Sequence, residues 1–373
     1  MSSNASRWLA SPRFDLVWMI APLFSPALLV LAFPGVVQQL SAQPDWLWLL
    51  LIVGVDVGHV WSTVFRTYLD EREFTARRAL YLWVPLAGFL GGVVLYSFGH
   101  MVFWRVLAYL AIFHFVRQQY GFFMLYRRGE AVSKVVLWQE KALIYLATLW
   151  PLLFWHSAGR SFHWFVAGDV LRWNLHWLTV LSGILYGVLA VMHLWRTVRQ
   201  WLGGNGINWP KQLWLAGTAL SWGVGIVAFD NDLAFTATNV LSHGIPYLAL
   251  VWLYGHRQEK LAPPVHRYRW SGLGRLFTPA GALLLAAFVY ALGWGEEALW
   301  DRLVWRDHPD LFSMLNVWLP PASDEMLVWL VPLLALPQLI HYLLDAVIWR
   351  LHAPGTVWAR VLLGPRPPSG GQS

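Results

Sequence analysis

The chain has 373 residues, of which 57% are hydrophobic and 13% charged, with a formal net charge of +7. A soluble domain carries about 25% charged residues, so this chain lacks the charge to cover a water-facing body of its size, and lipid is its expected solvent. The absence of cysteine excludes disulfides, thiolate metal sites, cysteine-held iron–sulfur clusters and c-type haem, and no basic segment interleaved with base-stacking aromatics stands out, which sets nucleic acid aside as a partner.

Residues 1–13 read as a short polar head carrying Arg7 and Arg13. The apolar run from Phe14 to Pro34 is too long for the h-region of a signal peptide and lacks a small-x-small cleavage site, so it reads as a retained spanning helix. Further spans are predicted at 45–66, 79–98, 102–125, 138–157, 174–198, 209–229, 233–255, 274–295 and 326–349. Each is close to the roughly 20 residues that cross about 30 Å of hydrocarbon. Period-2 alternation is weak throughout, so no strand competes. The expected fold is therefore all-α, a polytopic transmembrane helical bundle of about ten spans, or as few as eight where pairs of short spans are re-entrant. One transmembrane domain is expected over 1–363, followed by a disordered Gly/Pro/Ser-rich tail at 364–373. Many of the 27 tryptophans, as in Trp46-Leu47-Trp48, suit the headgroup layer, where an apolar ring with a polar N–H is at home.

Cations follow the even-numbered spans. Arg66, Arg72, Arg77 and Arg78 follow the second, Arg127, Arg128 and Lys134 the fourth, and Arg196 and Arg199 end the sixth. Arg257, Lys260, Arg267, Arg269 and Arg275 follow the eighth, and Arg350 and Arg360 the tenth. The opposite loops hold few cations, and 296–325 is acid-rich. Cations favour the cytoplasmic side, which places both termini in the cytoplasm of what reads as a multi-pass protein of a bacterial cytoplasmic membrane.

Polar groups inside apolar spans are costly and mark candidate sites. The second span holds Asp56 and His59, three apart on one helix face, followed by Thr63 and Arg66. The fourth holds His114, Arg117, Gln118 and Tyr120. The eighth holds Asn239, His243 and Tyr247, with Gly244 and Pro246 expected to kink or open the helix. The tenth holds Gln338, His341 and Asp345. Each of these histidines, taken singly, also fits a hydrogen-bonded core residue. Together they have a further property: all four sit on spans running in one direction, about ten to fifteen residues from the outer end, which at about 1.5 Å per residue puts them in one layer. His59, His114, His243 and His341, with Asp56 and Asp345, are therefore the candidate metal ligands, and Arg117, Gln118 and Tyr120 the candidate catalytic residues. His193 falls somewhat closer to the cytoplasm, and His100, His156, His163, His176, His256, His266, His308 and His352 fall at interfaces or in loops.

Imidazole suits iron, zinc and copper. Non-haem iron is the leading expectation because the neighbouring Asp and Gln residues have no purpose in axial haem ligation; haem b and zinc remain alternatives. Walker-type, dinucleotide-binding and nucleophile-elbow motifs are absent. The Asp56-x-x-His59 and His114 segments and the polytopic plan resemble the Brp/Blh-type carotene dioxygenases, a resemblance that implies His-bound iron and an isoprenoid substrate. The clustered HxxxH and HxxHH boxes of fatty-acid desaturases are missing. The set DVGH, HFVRQQYGF, SHGIPY and HYLLDAVIWR is also similar to an uncharacterised bacterial membrane family. The function these features point to is a membrane-embedded, metal-dependent oxidoreductase acting on a lipid or other apolar substrate from the bilayer. A proton-coupled transporter or channel, or a haem b electron carrier, is the alternative.

Overall fold

A computed structural model describes residues 7–261, 268, 270, 272–315, 320–350 and 358–363. The expected tail at 364–373 and the residues Arg267, Arg269, His266 and His352 lie outside them.

The described residues are mostly helical, with a long irregular stretch at 159–175. The long helices are α1 (Pro12–Ala32), α2 (Asp45–Phe65), α3 (Arg78–Ser97), α4 (His100–Arg127), α5 (Lys134–Ala158), α6 (His176–Leu202), α7 (Trp209–Trp222), α8 (Asp232–Leu261), α9 (Ala282–Trp305) and α10 (Asp324–Ile348). Six of them, α1, α2, α3, α6, α9 and α10, are long and apolar enough to cross a membrane. The remaining four overlap predicted spans; α7 is only 14 residues long, and α4 holds the polar His114, Arg117, Gln118 and Gln119.

The starts of several helices are written in the sequence. Ser11 accepts a hydrogen bond from Phe14 N ahead of Pro12, and Ser133 and Asn208 cap α5 and α7 through Val136 N and Lys211 N. Such caps satisfy N–H groups that the helix cannot. Two expectations are corrected. Helix α9 does not cover 274–295: residues Leu273–Phe277 form a short 3₁₀ turn and the helix runs from Ala282 to Trp305. Glu296, placed by hydropathy in an outer loop, is thus a buried helical residue whose carboxylate accepts the Trp61 indole N–H at 2.7 Å. Helix α8 also does not open at Gly244 and Pro246 but stays α-helical from Asp232 to Leu261. A proline deletes one backbone bond, and surrounding packing absorbs that loss.

The chain divides into two compact units. The first comprises residues 1–44 and 104–246. Its apolar core includes Ile112, Phe115, Val116, Leu152, Trp155, Phe162, Trp222 and Phe235. Helices α1 and α7 pack closely because Gly217 has no side chain; a Cβ there would lie 2.7 Å from Leu23. Ser221 Oγ then reaches Leu23 O at 2.7 Å. Small residues permit such close approach in membrane helices. A charge network closes one end of this unit. Glu140 on α5 accepts Arg127 at 3.0 Å, Arg196 at 2.8 Å and Lys211 at 2.9 Å, linking α4, α6 and α7.

The second unit comprises residues 45–103 and 247–373. Its core gathers Phe65, Tyr247, Val251, Phe277, Leu285 and Val289, with a smaller cluster of Tyr81, Leu344 and Ile348. Helices α2 and α9 meet at Gly293, where a Cβ would lie 2.8 Å from Val53 O. Arg66, read from the sequence as a loop cation, is fully buried. Its guanidinium pairs with Glu73 at 2.9 Å and lies 4.6 Å from the Tyr254 ring centre and 5.3 Å from that of Trp349.

Candidate metal centre

His59 stands on α2 just after a π-helical stretch, Leu49–Val57. π turns widen a helix and re-aim the side chains that follow. His59 is 1% exposed, and its Nδ1 lies 3.1 Å from Val55 O. A carbonyl can only accept, so Nδ1 carries the proton and Nε2 carries the lone pair. Asp56 Oδ1 is 3.7 Å from the same Nδ1, beyond hydrogen-bond distance.

His341 stands on α10, equally buried, with its ring centre 4.9 Å from that of His59 and the planes at 81°. The Tyr247 ring packs edge-on against both, at 5.8 Å from His59 and 5.0 Å from His341. His341 Nδ1 is 2.7 Å from Thr63 Oγ1, Thr63 Oγ1 is 3.0 Å from Tyr247 OH, and Tyr247 OH donates to Asp345 Oδ1 at 2.7 Å. The Trp349 indole donates to the same carboxylate oxygen at 2.9 Å.

His114 on α4 and His243 on α8 form a second pair, with ring centres 4.9 Å apart and planes at 79°. Phe115 lies flat on His243 at 3.5 Å and fixes its plane. Gln118 sits one turn beyond His114 on the same helix face; it is buried, and neither its amide nitrogen nor its amide oxygen has a hydrogen-bond partner. Asn239, one turn before His243, is buried and donates to Phe235 O at 3.1 Å, while its Oδ1 has no partner. Arg117 is exposed; it donates to Tyr145 OH and lies 5.2 Å from the Tyr120 ring centre, and Tyr120 stacks on Tyr145 at 4.9 Å.

His59, His114, His243 and His341 are all buried, and each offers one ring nitrogen such that these atoms lie within 4.8 Å of one another. Two ligands on opposite sides of an ion bound at about 2.1 Å stand about 4.2 Å apart. The cluster is therefore of a size that could hold a metal ion. Asp56 and Asp345 are not members of this group.

Other histidines are committed elsewhere. His156, expected at an interface, is buried, with Nδ1 2.6 Å from Leu152 O and Nε2 2.7 Å from Tyr109 OH. His193 has Nε2 2.7 Å from Gln212 and Nδ1 3.0 Å from Arg196. Sequence reasoning gives Thr63 and Tyr247 no role, although both stand in the motifs that supply the histidines. The signal for them is helical spacing, since each is four residues after a cluster histidine.

Among the described residues, fold and site together define an all-α, multi-helix protein with six candidate membrane spans and a buried four-histidine cluster that could hold a metal ion. Compared with protein-family models, with curated proteins and with solved structures, the chain matches none.

Proposed function

We propose that this chain is a membrane-embedded, metal-dependent enzyme whose His59, His114, His243 and His341 hold one ion. The further reading is a non-haem iron oxygenase, with dioxygen as oxidant and a lipid or isoprenoid as substrate. The observation that carries the metal reading is the convergence of four buried ring nitrogens within 4.8 Å. A core needs no such arrangement, because buried histidines are ordinarily satisfied by carbonyls or hydroxyls, as His156 is here.

Several features support the finer reading. A porphyrin occupies four positions around its iron and leaves at most two for histidine, so four clustered imidazoles suit a bare ion better than haem b. Imidazole-rich sites suit iron, zinc and copper, and the resemblance to Brp/Blh-type dioxygenases favours iron. Gln118 and Asn239 each bring unpartnered polar atoms to the turn beside a cluster histidine, a place for a substrate or an ion-bound ligand to be recognised. Arg117 and Tyr120, gathered with Tyr145, are assigned to a polar headgroup. Apolar helices facing lipid give such a substrate its route of arrival. The same reading keeps a single transmembrane domain that crosses the bilayer ten times, with both termini in the cytoplasm of a bacterial membrane.

One experiment tests this first. The protein is purified in mild detergent, its metals are measured by mass spectrometry, and the visible spectrum of the same sample is recorded. About one iron per chain without a Soret band supports the proposal. A Soret band replaces it with haem ligation. A preparation without metal overturns it in favour of transport, which the part-buried carboxylates Asp56 and Asp345 would then serve.

A further inference from the structure

We infer that Thr63, Tyr247 and Asp345 are positioning residues that lock His341 in the one tautomer able to bind a metal through Nε2. The purpose of this relay rests on the metal reading above; its existence rests on the hydrogen bonds alone.

The direction follows from counting protons. An indole N–H can only donate, so Asp345 Oδ1 is an acceptor where Trp349 meets it at 2.9 Å. The same oxygen lies 2.7 Å from Tyr247 OH, and Tyr247 spends its single proton there. The Tyr247 oxygen can then only accept from Thr63 Oγ1, 3.0 Å away. Thr63 also has one proton, and this contact uses it. Thr63 Oγ1 is left to accept at 2.7 Å from His341, so the proton of that bond sits on Nδ1. The chain runs His341 Nδ1–H to Thr63 O–H to Tyr247 O–H to the Asp345 carboxyl, and the lone pair of His341 is on Nε2.

Every link is held in place by packing. Thr63, Tyr247 and His341 are each no more than 4% exposed. Thr63 stands on α2, Tyr247 on α8 and Asp345 on α10, so three helices fix one imidazole. His59 reaches the same state by a shorter route, with Nδ1 facing the Val55 carbonyl. Outer hydrogen bonds of this kind set the tautomer and ring angle of metal-binding histidines, and losing one typically lowers metal affinity 10- to 100-fold. Asp345, a ligand candidate by sequence, thereby acts on the centre through two hydroxyls rather than by touching it.

The substitutions reverse the chain in distinguishable ways. Tyr247→Phe releases the Thr63 proton, which then points at His341 Nδ1 and moves the imidazole proton to Nε2. Asp345→Leu lets Tyr247 donate back to Thr63, with the same result. Asp345→Asn keeps an acceptor oxygen and with it the original direction. Thr63→Val breaks the relay, and Thr63→Ser restores it. A purely structural role predicts no such split between Asp345→Asn and Asp345→Leu in the position of a proton.

The test is ¹⁵N solid-state NMR of histidine-labelled, metal-free protein in lipid, with His341 assigned by His341→Gln, followed by titration with Fe(II) or Zn(II). Expected are the Nδ1–H tautomer in wild type, Asp345→Asn and Thr63→Ser, the Nε2–H tautomer in Tyr247→Phe and Asp345→Leu, and affinity lowered 10- to 100-fold in the latter two. Nε2–H in the wild type, or an unchanged tautomer in Tyr247→Phe, overturns the relay. The expected tautomers with no ion bound by the wild type leave the relay standing and overturn the metal reading instead.

Discussion

Thr63 and His341, 278 positions apart in the chain, meet at 2.7 Å with both side chains buried. The contact makes α2 and α10 a single supporting frame for one imidazole.

Single replacement of His59, His114, His243 or His341 by Ala is expected to abolish metal retention during purification, because three imidazoles hold an ion more weakly and the vacated side admits water. His156→Ala is the matched control. Both of its nitrogens are taken by Leu152 and Tyr109, so metal content should be unchanged while stability falls by about 1–3 kcal/mol. Mass spectrometry of the five variants, with thermal unfolding of His156→Ala, checks both halves; full metal in all four cluster variants would end the metal reading.

Gln118 offers a different split. A buried amide with no partner destabilises a fold, and both its polar atoms are in that position. Gln118→Leu should therefore leave thermal stability in detergent unchanged or raised, while turnover of the apolar substrate falls. Stability lost together with turnover would show that the amide serves the fold.

Glu73 holds the buried guanidinium of Arg66 at 2.9 Å. Glu73→Ala strands that charge, at a cost of about 3–5 kcal/mol, whereas replacing Arg66 and Glu73 together by Met and Leu should recover most of it. Reversible unfolding in mixed micelles, run as a double-mutant cycle, measures the coupling.

Gly225→Ala tests the support of the second histidine pair. Its new Cβ would fall 2.0 Å from Thr238 Oγ1 and 2.7 Å from Asn239 Nδ2. The helix must shift or Thr238 and Asn239 must both move, for about 1–3 kcal/mol of overpacking. Metal affinity should drop as well, since Asn239 lies one turn from His243. An unshifted affinity with reduced stability would separate Asn239 from the site.

Much of this protein is legible in one dimension. The positions of the long helices, six of them long and apolar enough to cross a membrane, follow from apolar runs, because hydrocarbon tolerates few charges. The four histidines could be picked out by depth, since each interrupts an apolar run at a similar distance from its end. What misled the reading was charge at helix ends. Glu296 looked like loop because a carboxylate ends a hydropathy window, yet it is buried inside α9, where one of its oxygens accepts the Trp61 N–H. Arg66 looked like a loop cation, yet Glu73 and two aromatic faces bury it.

Depth along a helix is a property of sequence, but rotation about the helix axis and the choice of neighbours are not. The sequence by itself determined the long apolar helices and the positions of the histidines along them. Tertiary structure alone decided that four of them face one point within 4.8 Å, that His156 and His193 face other partners, and that Thr63, Tyr247 and Asp345 line up behind His341. The physical reason is that a hydrogen-bond chain needs atoms from separate helices within about 3 Å, and only packing brings them that close.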